Sequence, residues 1–202
     1  MRTALLVTVL ITFCALASGE VLLEHTLYVP GSDAQLSYDD GSANWLTWNG
    51  VYRGVWFNTA DFGYGDPWDA DNTEFWFYHH SSYQWDTPCF YAELWNGNNI
   101  SGPVTQLDQT SVTATHYAAV YANYSASITC ESQFWVISST EMSSGGWPSI
   151  LSDPTPGIHS FQSDDFIEWD SWNLGDYFIR TNSEGLRLDS QTWGAIKTLF
   201  SE

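Results

Sequence analysis

Four acids, Asp66, Asp69, Asp71 and Glu74, crowd one short stretch of this chain. Carboxylate oxygens are hard donors, and a flexible loop that presents several of them suits Ca2+. Their spacing is not that of an EF-hand loop, and a solvated acidic loop is the simpler account. A second group, Asp164, Asp165, Glu168 and Asp170, carries the same two readings. Asp39 and Asp40 ahead of Gly41 read as a tight turn. Glu74, Glu93, Glu131 and Glu168 fall on or near expected strands. Two carboxyls facing one sugar cleft would hydrolyse a glycosidic bond, one of them with its pKa raised by neighbouring rings. No nucleophile elbow of the Gly-x-Ser-x-Gly type and no zinc-binding His-Glu-x-x-His helix is present. His79 and His80 are neighbours, so a strand would point them to opposite faces.

Aromatic rings offer a different chemistry. The chain has 12 Trp, 11 Tyr and 11 Phe. That is more than one core obviously needs, and exposed apolar surface often binds something. Trp45, Trp48, Trp68, Trp85, Trp147 and Trp172 lie in or near expected loops. There they could stack on the C–H faces of a sugar while Asn, Asp and Gln neighbours bond its hydroxyls. Trp56, Trp76 and Trp135 read as core residues. The formal charge of −19, from 24 acids against 5 Lys and Arg, opposes nucleic acid and anionic membrane. It leaves neutral ligands and divalent cations.

The elements that must position these groups read as strands. Short β-prone runs at 21–29, 36–38, 44–48, 51–58, 73–79, 89–95, 103–107, 110–115, 117–123 and 130–137 are separated by Gly, Asn, Asp and Pro turns. Asn49-Gly50 is a strong hairpin signal. In the run after it, Val51, Arg53, Val55 and Phe57 share one face, and Tyr52, Trp56 and Asn58 the other. Residues 61–72 read as an acidic, Gly-rich loop, and 141–157 as a long loop. The pattern predicts an all-β fold, a single antiparallel β-sandwich over 20–183. A tail at 184–202 carries a short amphipathic helix, with Trp193, Ile196, Leu199 and Phe200 on one stripe.

Residues 1–19 have the pattern of a secretory signal: Arg2, an apolar run over 4–16, then small residues. The expectation is a secreted or cell-surface chain with no membrane span after cleavage. Loss of that leader removes Cys14 and leaves Cys89 and Cys130, which an oxidising compartment would join in one disulfide.

Several segments then carry a resemblance. They are Leu36-Ser37-Tyr38-Asp39-Asp40-Gly41, Glu93-Leu94-Trp95-Asn96-Gly97 with Gly102-Pro103, Gln133-Phe134-Trp135-Val136-Ile137 and Gly175-Asp176-Tyr177-Phe178-Ile179-Arg180. In order and spacing they resemble a jelly-roll-like β-sandwich module of secreted proteins from environmental bacteria, over roughly 34–181. The resemblance implies an accessory, adhesion or binding role and carries no catalytic residues. The leading expectation is a non-catalytic module that recognises carbohydrate or another cell-surface component through loop aromatics, with Ca2+ as the one candidate cofactor. The alternatives are a self-associating subunit of a surface layer or filament, and a jelly-roll glycoside hydrolase.

Overall fold

The computed structural model describes residues 20–22, 35–64 and 66–183. The expected leader at 1–19 and the expected helix of the tail lie outside these residues. Among the described residues thirteen strands form three antiparallel sheets. The largest has the order β12 (Asp170–Ser171), β11 (Ser160–Ser163), β4 (Tyr52–Asn58), β9 (Gln133–Ser139), β6 (Cys89–Asn98), β7 (Gly102–Thr113). The second has the order β2 (Gln35–Leu36), β13 (Ile179–Asn182), β5 (Trp68–Trp76), β8 (Ala119–Cys130). A small sheet joins β1 (Glu20–Leu22), β3 (Trp45–Thr47) and β10 (Ile150–Ser152). The chain is an all-β sandwich, as the turn spacing predicts. Among the described residues no helix is long and apolar enough to cross a membrane.

Strand alternation sorts the rings into three layers. Val55 and Phe57 of β4, Phe90, Ala92 and Leu94 of β6, and Phe134 and Val136 of β9 point inward. They meet Ala70 and Phe75 of β5, Val120 and Ala122 of β8 and Ile179 of β13, all buried in one core. Their in-between neighbours Trp56, Trp135 and Ile137 face out, yet they are buried too. Phe161, Phe166 and Trp169 cover them. On the far side of the second sheet, Trp76 and Phe178 pack against Ala43, Leu46 and Leu151. The high aromatic count therefore fills two further layers beyond the central core.

The segment 36–43 and the final strand come together. Leu36 pairs with Thr181 and Gln35 with Asn182. Next to this ladder, Arg180 donates from Nε and Nη2 to the two oxygens of Asp39, at 2.8 and 2.5 Å. Its Nη1 donates to Glu74 Oε1 at 3.1 Å, directly across the β5–β13 pair. The Glu74 carboxylate also accepts from Trp76 Nε1 and Gln35 Nε2. The side chains of all three ions are at most 4% exposed. Burial pulls the Arg180 pKa down, but the hydrogen bonds and charges of Asp39 and Glu74 outweigh it and raise it.

A second buried acidic pair sits beside this network. Asp153 accepts from the backbone N–H groups of Asp40, Thr155 and Asp176, and Asp176 accepts from Ser160 Oγ. Burial, together with the Asp153 and Asp39 charges, pushes the Asp176 carboxyl up to about 6.

Two sequence expectations fail here for geometric reasons. Cys89 and Cys130 are free thiols, not a disulfide. Cys89 opens β6, while Glu131, next to Cys130, donates its N–H to Asn96 near the other end of that strand. At roughly 3.3 Å per residue, the length of β6 between them is about 20 Å, far beyond the ~7 Å that a disulfide allows between Cα atoms. Burial pushes the Cys130 thiol up to about 12. The acidic loop is also shorter than expected, because β5 begins at Trp68. Asp69 and Asp71 thus lie on a strand, where they accept hydrogen bonds from Thr129 and Ser127 of β8.

Replacing Arg180 by Leu leaves Asp39 and Glu74 buried without a counter-charge. The expected loss is about 3–5 kcal/mol of unfolding free energy in urea at pH 7, and a loss below about 1 kcal/mol would show that the network is not a stabilising element. Asp176 has the opposite sign from a salt-bridged acid. Its folded pKa lies above the unfolded value, so its contribution is fully present below pH 4 and fades as pH rises through 6. A rise from 3.8 to about 6 corresponds to about 3 kcal/mol at roughly 1.4 kcal/mol per pH unit. Asp176→Asn is therefore expected to raise the melting temperature at pH 7.5 and to leave it nearly unchanged at pH 3.5.

Candidate ligand-binding face

Three loops converge beside the small sheet. The turn 48–50 follows β3, with Gly50 at φ 78°; it is not the hairpin expected from Asn49-Gly50, because it carries the chain from the small sheet to β4 of the large one. The segment 143–147 lies across it. Gly146 makes this approach feasible: its φ is 74°, and a Cβ there would sit 2.1 Å from the Trp48 carbonyl oxygen. Only glycine tolerates both conditions at one position. Asp86 pins the segment from the third loop, accepting from Ser143 Oγ at 2.7 Å and from the Ser144 N–H and Oγ at 2.8 Å. Burial pulls the Asp86 carboxyl upward, but these hydrogen bonds outweigh it and hold it below the usual range.

The consequence is a ring platform. Trp147 stacks on Trp48 with centroids 4.9 Å apart, and Tyr83 lies 4.6 Å from Trp48 on a tilted plane. All three rings are only partly buried. Asn49 and Gly50 of the same turn also line an open cleft of about 230 Å3. Its other walls are Gln162, Ser163, Asp164, Asp165, Glu168 and Asp170. Backbone N–H groups of Glu168 and Ile167 donate to Asp165, which holds its carboxyl down. The platform and the polar cleft thus share one turn.

The other aromatics of the sequence reading go elsewhere. Trp68 is 4% exposed, and its Nε1 donates to Thr181 Oγ1. Trp172 is 3% exposed, stacks on Tyr177 and donates to Ser152 Oγ. Both are structural: Trp68 is the first inward residue of β5, and Trp172 follows the last residue of β12. Trp45 packs against the central core. Trp85 lies on His79 and Phe77, its Nε1 bonded to Ser149 Oγ. Of the six, Trp48 and Trp147 alone meet each other.

The acids divide likewise. Asp66, Asp69, Asp71 and Glu74 do not form a ligand set, since Asp69 and Asp71 bond hydroxyls of β8 and Glu74 pairs with Arg180. Among the described residues no group of three or more His, Cys, Asp and Glu is arranged to hold a metal. Glu93 is 3% exposed on the outer face of the large sheet. Trp95 Nε1 donates to its Oε2 and Gln109 Nε2 to its Oε1, and burial raises its pKa. Glu131 is exposed, and Glu168 lines the cleft. The four candidate glutamates therefore do not face one another across a shared cleft.

No protein-family model, curated protein or solved structure matches this chain.

Tyr83 and Gln162 were missed by the sequence reading, the first because a Tyr among Ser and Gln carries no periodic signal. The role assigned to Gly146 is open to test. Gly146→Ala is expected to part the Trp48–Trp147 pair while the sheets remain. The measurement is circular dichroism: the exciton couplet of the stacked indoles should disappear and the strand signal should persist. Retention of the couplet would show that the segment does not depend on this glycine.

Proposed function

We propose that the protein is a secreted, non-catalytic binding module that takes an uncharged glycan on the Trp48, Trp147 and Tyr83 rings. The observation that carries this reading is the shared turn: a partly buried ring stack is followed at Asn49 and Gly50 by a cleft lined by amides and carboxylates. Rings supply apolar faces for sugar C–H groups, and the cleft supplies acceptors for hydroxyls. A chain of formal charge −19 repels anionic polymers and leaves a neutral one free to approach. The leader pattern at 1–19 supports export, where such polymers are met. The resemblance to accessory modules supports binding over catalysis.

The test is a panel of soluble and insoluble glycans presented to the purified chain. Saturable binding is expected for a neutral polysaccharide, weakened at least about tenfold by Trp48→Ala with Trp147→Ala, a change of ~1.4 kcal/mol or more. Chelation of divalent ions should leave it unchanged. The absence of binding to every neutral glycan would overturn the reading. Sugar release that Glu168→Gln abolishes would replace it with hydrolysis.

A further inference from the structure

The inner face of the large sheet carries one row unlike the rest of the core. Arg53 of β4 pairs with Ser138 of β9 on one side and Gln162 of β11 on the other, so the three side chains stand side by side. Arg53 and Ser138 are fully buried. Nη1 and Nη2 of Arg53 donate to the Thr47 and Pro148 carbonyls at 3.1 and 3.0 Å. Its Nε–H finds no acceptor among the described residues, nor does the Ser138 hydroxyl find a partner. Gln162 Oε1 is buried and unpaired as well.

The contrast with Arg180 defines the problem. Arg180 has two carboxylates. Arg53 has none among the described residues: burial lowers its pKa to about 10, opposed by the Tyr177 phenol. It therefore stays charged at neutral pH, and a buried charge without a counter-charge is strongly unfavourable. Two carbonyls satisfy hydrogen bonds but do not neutralise the ion.

We propose that the Arg53–Ser138 row binds a small monovalent anion of the chloride class. The Arg53 Nε–H and the Ser138 O–H would donate to it. Gln162 joins the row to the open cleft, which it also lines, and its amide can turn to present Nε2–H as a third donor. Phosphate, sulfate and carboxylate ligands are disfavoured, because the acidic rim of the cleft and the overall charge repel large and multivalent anions most. This site is separate from the ring platform and does not depend on what the platform binds.

The experiment is thermal unfolding of the whole chain at fixed ionic strength, with gluconate replaced stepwise by chloride or bromide. The melting temperature is expected to rise with the logarithm of halide concentration, by about 5 °C at 200 mM for a site of ~10 mM affinity. Broadening of the chloride NMR line by the protein should follow the same concentrations. Arg53→Met removes the cation but endangers the fold, so the decisive variant is Ser138→Ala, which keeps the fold and should lose at least half of the halide shift. Equal melting temperatures in chloride and gluconate would overturn the proposal and leave a buried water as the partner of the row. A full halide shift retained by Ser138→Ala would overturn the location.

Discussion

The Arg180 guanidinium is the tie on which this fold depends. Its partners lie 141 and 106 residues earlier in the chain, so it closes two long loops at a single point. A lysine could not replace it, because the planar fork of Arg serves Asp39 with two parallel bonds and Glu74 with a third. The tie fixes the register of β13 between β2 and β5. That register turns Ile179 into the central core and places Phe178 against Leu46 and Leu151 of the small sheet. The small sheet in turn holds the Trp48–Gly50 turn, so the position of the ring platform traces back to the ion network.

Charge is used sparingly inside and freely outside. The surface holds most of the acids, while the interior keeps a few with defined jobs. Asp39 and Glu74 are balanced by a cation. Asp153 and Asp176 are not, and both have carboxyls raised by burial, so the fold carries a stored cost there at neutral pH. Asp153 nevertheless organises three backbone N–H groups from the turn at 40, the loop at 155 and the approach to β13. Its acceptor capacity in an otherwise unsatisfiable bend offsets part of that cost.

The sandwich was legible because its signals are local. Alternation in 51–58 assigns each face of β4 as observed, whereas Asn49-Gly50 makes a turn between two sheets and not the expected hairpin, since β3 and β4 pair with other strands. Less legible were lengths and partners. The runs at 110–115 and 103–107 are one strand, β7, because β-bulges opposite Leu94 to Gly97 absorb its irregular middle. Asp69 and Asp71 read as loop residues because acids are rare in strands, yet two hydroxyls on β8 donate to them at the sheet surface. The cysteine pairing failed because loop length says nothing about Cα separation. Trp48 and Trp147 were singled out correctly as loop rings, but their stacking depends on Gly146 and Asp86, which no spacing rule connects to them.

The account rests on the claim that Trp48 and Trp147, and not the other ten tryptophans, form the ligand surface. The most direct measurement is a titration of the isotope-labelled chain with a soluble neutral oligosaccharide, read at the indole N–H resonances. The account predicts that the Trp48 and Trp147 indoles shift in a saturable way while those of Trp68, Trp135 and Trp172 stay fixed. Saturable shifts confined to other indoles would place the ligand elsewhere and contradict it.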